Sequence, residues 1–233
     1  MARSSLVITG ASRGIGLEFV RQYLDAGWRV HATCRQPDQC VPLLNLAASH
    51  RDLLNLHPLD VSDAHQISAL ATKLRDQPVD LLINNAGVLG PRLQGLGQIH
   101  PQAWLDTFAV NAIAPLLMVE SLLDNLLAGG LRLVANVTSK MGSIQDNDSG
   151  GFYIYRSSKV ALNMVVKSAS IDLAERGVRL VLLHPGWVKT SMGGPNAELE
   201  VADSVSRMRA ILERVGPEDS GRFFDIAGST IPW

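Results

Sequence analysis

Thr9-Gly10-Ala11-Ser12-Arg13-Gly14-Ile15-Gly16 follows a short run, Ser5-Leu6-Val7-Ile8, and leads into an amphipathic segment, Leu17-Ala26, that Gly27 closes. A strand, a glycine turn and a helix open a βαβ unit. The backbone N–H groups of such a turn point out of a helix N-terminus, where a pyrophosphate is favoured by hydrogen bonding and by the helix dipole. The Gly10-x-x-x-Gly14-x-Gly16 spacing differs from the G-x-G-x-x-G dinucleotide fingerprint, but its context of strand, tight turn and helix is the same. One glycine serves the turn, one lets the backbone approach phosphates and one allows close helix–strand packing. A glycine turn without a ligand is the alternative reading, and this segment alone leaves it open.

Outward from this turn, apolar runs rich in β-branched residues alternate with helical segments. Strands are expected at Leu6-Ile8, Arg29-Thr33, Leu53-Pro58, Leu81-Asn84, Arg132-Thr138, Arg179-His184 and near Arg222-Asp225. Helices are expected at Leu17-Ala26, Val41-Ser49, Ala64-Arg75, Pro101-Leu127 and Tyr153-Glu175, the fourth either bent or beginning late because Pro115 lies inside it with Asn111 just ahead. The pattern predicts an α/β fold, a Rossmann-type doubly wound parallel sheet of about seven strands with helices on both faces. Length and the lack of a linker predict a single domain over 1–233, with a cofactor half over about 1–95 and a catalytic and substrate half over about 96–233. Gly193-Gly216, with one helix at Val201-Leu212, reads as a lid on the substrate side.

The 233 residues are 46% hydrophobic with a formal net charge of -1 and no basic run, so neither nucleic acid nor an anionic membrane is expected as a partner. The first strand is too short for a signal-peptide core or a membrane span, and a cytoplasmic location is expected. Cys34 and Cys40 are the only cysteines and the six histidines are scattered, so neither a disulfide framework nor a metal site is indicated.

Tyr155 and Lys159 stand four residues apart in a helical segment and so share a face. An ammonium beside a phenol stabilises its ionised form, and acid–base work near neutrality needs a shift of about three units, or about 4 kcal/mol. Tyr153 has no such partner, because Ser157 stands four residues on. Ser139 ends an apolar strand at the carboxyl edge of the sheet, where α/β ligands bind and its hydroxyl can reach a substrate oxygen. Asn111 is a poor helix former inside a long helix, odd there unless its amide or a freed carbonyl is used.

Asn84-Asn85-Ala86-Gly87 follows a buried strand, where so small a turn can lie beneath an adenine ring or its ribose, and Asp60-Val61 follows the third strand, where it could meet the adenine edge. With Thr9-Gly10-x-x-x-Gly14-x-Gly16 and Tyr155-x-x-x-Lys159, the chain resembles the short-chain dehydrogenase/reductase family, whose three motifs stand here in order across almost its whole length. The resemblance implies that Asn111, Ser139, Tyr155 and Lys159 form a catalytic set. Tyr155 would be the general acid, Lys159 would lower its pKa and bind the nicotinamide ribose, Ser139 would orient the carbonyl, and Asn111 would hold water beside the lysine. Pro185-Gly186-Trp187-Val188-Lys189-Thr190 matches the family's segment beneath the nicotinamide carboxamide, with Val188 and Thr190 as contacts.

An NAD-selective site places a carboxylate at the end of the second strand, roughly 20 residues past the glycines. Here that strand ends Thr33-Cys34-Arg35, and Arg35 with Arg13 could flank a 2′-phosphate, so NADP(H) is preferred over NAD(H). Met192-Gly193-Gly194-Pro195 and Ile231-Pro232-Trp233 make the chain most similar to the branch holding C-factor and the sniffer-type carbonyl reductases. The implied function is reduction of an aldehyde, ketone or quinone, with a cofactor-binding signalling or regulatory role of little turnover as the alternative. Met141, Phe152, Tyr153, Trp187 and Met192 flank the reacting residues and could line an apolar pocket, although core packing would explain about half of them. The run Gln145-Gly151 lengthens the interval from Ser139 to Tyr155 and should border the entrance. The apolar outer faces of the two longest helices are compatible with a homodimer.

Overall fold

The computed structural model describes residues 3–233. Seven parallel strands pair in the order β3-β2-β1-β4-β5-β6-β7. They are β1 (Ser5–Ile8), β2 (Arg29–Cys34), β3 (Leu54–Pro58), β4 (Leu81–Asn84), β5 (Leu133–Val137), β6 (Arg179–Leu183) and β7 (Phe223–Phe224). Every expected strand is present, with ends moved by a residue or so, as fraying of short elements allows. The order reverses between β1 and β4, where the carboxyl ends of two neighbouring strands part and leave a crevice.

Period-two alternation sorts the side chains into two cores. Leu6, Ile8, Leu81, Ile83, Leu133 and Ala135 face one layer, while Val7, Leu82 and Val134 face the other. The first layer is α1 (Gly14–Asp25), α2 (Val41–Ser49) and, far along the chain, α8 (Val201–Leu212). Opposite lie α3 (Ala64–Lys73), α4 (Pro101–Phe108), α5 (Ala114–Ser121), α6 (Leu123–Ala128) and α7 (Tyr153–Asp172). Fully buried residues such as Phe19, Leu82 and Met118 each stabilise the fold by about 1.5–3 kcal/mol.

Two expectations change. The helix expected over Pro101-Leu127 is three helices, with a wide π-helical turn at Ala109–Ile113 between α4 and α5 and a break at Leu122. Pro115 has no N–H for the carbonyl four residues back, which belongs to Asn111, so the α ladder cannot continue through this point. Pro115 then sits in the first turn of α5, where a missing N–H is tolerated. The run Pro101–Ser121 is still the one helical stretch among the described residues long and apolar enough to cross a membrane, but here it packs on α3 and α7. Its outer side and that of α7 leave Leu105, Ile113, Met164 and Ile171 exposed.

The second change concerns the lid. α8 is part of the sandwich: Val205, Met208, Ile211 and Leu212 are buried on one face of it against α1. Arg209 donates to the Gln22 carbonyl at 3.1 Å and stacks over the Tyr23 ring, 4.7 Å from its centroid. A helix with so continuous an apolar face lowers its free energy by docking, and only its first residue, Val201, and the segment before it reach the crevice.

On β2 and β3 a histidine pair is buried: His31 Nδ1 lies 3.1 Å from His57 Nε2, and His57 Nδ1 has no partner. Burial pushes each pKa down to about 4, with the charges of Arg29 and Lys73 acting on His31 in the same direction. Native values below the unfolded value of about 6.5 mean that the unfolded chain binds more protons between the two, so stability is full above that value and is lost as pH falls toward about 4. Calorimetry from pH 7 to 4 should show a steeper fall in melting temperature for the wild type than for a His31→Asn/His57→Asn variant. Parallel curves would remove the pair from the acid response.

Candidate active site

The crevice at the switch point is a cavity of about 1020 Å³, running from the glycine turn to Tyr155 and Lys159. Its glycine-turn end is built by close approach. Gly10 and Gly14 take φ of +67° and +54°, and a Cβ on Gly10 would lie 2.8 Å from Ala86 Cα. The Thr9 hydroxyl accepts hydrogen bonds from the Asn85 and Ala86 amides at 3.1 and 3.0 Å, and Asn85 Nδ2 donates to the Thr9 and Gly10 carbonyls. The Asn-Asn-Ala-Gly turn is thereby bound to the glycine turn across the β1–β4 seam. α1 begins with no side-chain cap and no acidic residue in its first turn, so its amides and dipole face the cavity unneutralised.

Ser12, Arg13, Ile15, Arg35, Asp60 and Val61 line the cavity as expected. Arg13 and Arg35 are exposed and form no carboxylate ion pair within 4 Å among the described residues. Asp60 is held below the ordinary carboxylate range by hydrogen bonds from the Ser62 hydroxyl and amide, with a smaller contribution from Arg35. These features suit a doubly anionic group: free helix amides at one point and two guanidinium groups at the next.

At the other end Tyr155 and Lys159 are nearly inaccessible, 7% and 4% exposed. Lys159 Nζ donates to the Val137 carbonyl at 3.0 Å and lies 5.9 Å from the centroid of the Tyr155 ring. Burial lowers the Lys159 pKa to about 8, so it remains a cation at neutral pH. Burial raises the Tyr155 pKa, against a hydrogen bond with Ser139 that lowers it. In the chain by itself burial dominates the phenol, and the Lys159 ammonium is turned toward the Val137 carbonyl.

Asn111 does not line the cavity. It sits in the π turn, 1% exposed, with Oδ1 accepting from the Val88 amide and Nδ2 donating to the Val88 carbonyl and the Ser158 hydroxyl. Its side chain ties the Asn-Asn-Ala-Gly loop to α7. Ser139 is half-buried, beyond the last residue of β5, and its hydroxyl also accepts from the Met141 amide at 3.2 Å. Pro185 and Thr190 line the cavity, whereas Gly186 and Val188 do not. Gly186 turns the chain at φ +77°, and Val188 is buried and bridged to Leu199. Of the five expected pocket residues, Met192 alone lines the cavity; Phe152, Tyr153 and Trp187 are exposed and Met141 is half-buried.

Gln94 escaped the sequence reading. It is 3% exposed, and its Oε1 accepts from the Tyr155 amide at 2.9 Å while its carbonyl accepts from the Tyr153 amide at 3.3 Å. α7 starts from Phe152, a left-handed residue with no side-chain cap, so Gln94 satisfies amides that the helix leaves open. No local signal marks a cap 61 residues away. Val88, Val110 and Ser191 also line the cavity and carried no motif.

A Cβ on Gly16 would collide with the Gly10 carbonyl and stand 2.5 Å from Asn85 Nδ2. Gly16→Ala is therefore expected to destabilise the fold by about 1–3 kcal/mol by overpacking. Gly130→Ala, whose Cβ would meet nothing nearer than Asp80 Oδ1 at 3.5 Å, is the control. Equal melting temperatures for the two variants would refute close packing at Gly16.

Residues 4–200 match the family model for short chain dehydrogenases. The chain is 50% identical over 165 residues to the C-signal protein of Myxococcus xanthus, covering 71% of this chain and 99% of that one. Its fold superposes with a TM-score of 0.94 on the carbonyl reductase Sniffer of D. melanogaster, 32% identical, and with 0.92 on an NADPH-bound carbonyl reductase from chicken fatty liver, 35% identical, each over 100% of both chains. With three motifs meeting in one crevice of a seven-stranded parallel sheet, the chain belongs to the short-chain dehydrogenase/reductase family.

Proposed function

We propose that this chain is an NADP(H)-dependent oxidoreductase that reduces an aldehyde, ketone or quinone to an alcohol. The observation that carries the reading is the buried Lys159 ammonium, 5.9 Å from the Tyr155 ring, at one end of a cavity whose other end is the glycine turn. Carbonyl reductases among proteins of the same fold, one of them with NADPH bound, support it.

Gly10, Ser12, Gly14, Ile15 and Gly16 would hold the pyrophosphate, Arg13 and Arg35 a ribose phosphate, and Asp60, Val61 and Asn85-Ala86-Gly87 the adenine and ribose. Pro185, Gly186, Val188 and Thr190 belong to the segment proposed for the nicotinamide end, with Pro185 and Thr190 on the cavity wall itself. When bound, the dinucleotide supplies the hydride. Tyr155 delivers a proton to the carbonyl oxygen, and Ser139 orients that oxygen with its hydroxyl. A phenol kept protonated by burial suits the reductive direction, because the acid must carry its proton when the substrate arrives. Lys159, cationic below about pH 8, stabilises the phenolate left behind. Asn111 acts by holding the Val88 loop and α7 in register. Met192 on the cavity wall, with Val88 and Val110, favours a hydrophobic carbonyl compound.

Tyr155→Phe should lower NADPH-dependent turnover of carbonyl substrates by about 10²–10⁴-fold while leaving NADPH affinity, read by fluorescence titration, nearly unchanged. Wild-type turnover in that variant would exclude Tyr155 as the acid. Tight NADPH binding by the wild type with no turnover across a broad carbonyl panel would favour a regulatory role, the reading that the 50% identity to the C-signal protein motivates. Arg35→Asp should move the ratio of NADPH to NADH affinities toward NADH by about ten- to hundredfold, from loss of a charge-assisted contact. An unchanged ratio would show that Arg35 does not select the cofactor.

A further inference from the structure

Beside the cofactor cavity lies a second one, of about 450 Å³, walled by Ser12, Cys34, Arg35, Gln39, Cys40 and Pro42. It shares Ser12, Cys34 and Arg35 with the larger cavity, and both free cysteines of the chain open onto it. Hydride transfer uses neither thiol. Cys34 is the last residue of β2, 6% exposed, immediately before Arg35. Cys40 precedes α2, is half-buried, and its Sγ donates to the Ser12 carbonyl of the glycine turn at 3.4 Å. A short 3₁₀ turn, Pro37–Gln39, folds the intervening chain back so that both residues pack on the same core.

We propose that Cys34 and Cys40 form a peroxide-sensitive dithiol whose oxidation to an intramolecular disulfide weakens NADP(H) binding. The cofactor half of this inference rests on the reading of Arg35 and Ser12 given above. Cys40 is the more accessible thiol and reacts first: its thiolate attacks one oxygen of hydrogen peroxide, the O–O bond breaks, and a sulfenic acid and water form. Cys34 then attacks the sulfenic sulfur, a second water leaves, and the disulfide closes. In balance, two thiols and one peroxide become one disulfide and two waters. Burial raises the Cys34 pKa, and the neighbouring Cys40 adds to the effect, which leaves Cys40 as the thiol that meets peroxide first.

Two consequences reach the cofactor cavity. A disulfide has no S–H, so the Ser12 carbonyl loses its donor and the glycine turn loses a contact that positions it. Arg35 follows Cys34 directly and lines both cavities, so closing the 34–40 ring shifts the backbone that carries its guanidinium toward the ribose phosphate. By linkage, a cofactor that prefers the dithiol form also favours the reduced state of the pair.

The test uses the intact protein, reduced and then treated with hydrogen peroxide, with catalase added before any titration. Intact mass after thiol alkylation and peptide mapping reads the disulfide without reference to activity. NADPH fluorescence titration reads affinity in the reduced, oxidised and dithiothreitol-recovered samples. The expected result is a Cys34–Cys40 cross-linked peptide, an NADPH affinity lowered about tenfold, recovery on reduction, and an affinity of Cys40→Ser that peroxide does not change. Reduced protein that binds NADPH but forms no cross-link overturns the dithiol and leaves the cofactor reading standing. A cross-link with unchanged affinity, or a Cys40→Ser variant as sensitive as wild type, overturns the coupling. Reduced protein that fails to bind NADPH overturns the cofactor reading and the coupling together, whatever the mass shows.

Discussion

The close approach of two backbone turns at the β1–β4 seam is the constraint on which the rest depends. Parallel strands 4.7–4.9 Å apart leave little room at their carboxyl ends for two chains that both turn away. Glycine at positions 10 and 16 supplies the room, and Thr9 and Asn85 supply the hydrogen bonds that hold the turns together. Below this seam, Asn84 donates to Asn136 at 2.9 Å and Asn136 to the Val181 carbonyl at 3.3 Å, a polar ladder across β4, β5 and β6 in an otherwise apolar sheet. Each amide there is paired, which keeps the burial of polar groups from costing stability.

Burial then sets the chemistry at the far end of the cavity. Desolvation moves Tyr155 upward and Lys159 downward, bringing an acid that holds its proton beside a cation that can lose one near pH 8. The same burial demands partners, and the site finds them in main-chain groups: Val137 for Lys159, Val88 for Asn111, and the Tyr155 amide for Gln94. Each of these bonds joins segments far apart in the chain, so these groups are held by the fold as a whole. The π turn at Asn111 shows the same economy, since Pro115 breaks the helical ladder where the Asn111 amide reaches across to Val88 and Ser158.

Short buried strands, the glycine turn and the Tyr155–Lys159 pair were legible because they depend on local rules: alternation, a turn that needs positive φ, and the repeat of a helix. The order of the three motifs along the chain carries the family resemblance by itself. What was misread involves competition between local and distant groups. α8 carries enough polar residues to pass for a lid, and its apolar face found α1. The segment over Pro101-Leu127 was apolar enough for one helix, but a proline without an N–H and an asparagine with distant partners divided it.

By itself the amino-acid sequence determined the sheet, its helical layers, the glycine turn and the pairing of Tyr155 with Lys159 on one helix face, because those follow from chemistry within a few residues. Tertiary structure decided which groups meet and in what charge state. Only it placed Gln94 on the Tyr155 amide, turned Lys159 toward Val137, buried the phenol so that it keeps its proton, and brought Cys40 against the glycine turn. Desolvation and hydrogen bonding between distant segments have no local pattern, since they arise only once the chain has closed around them.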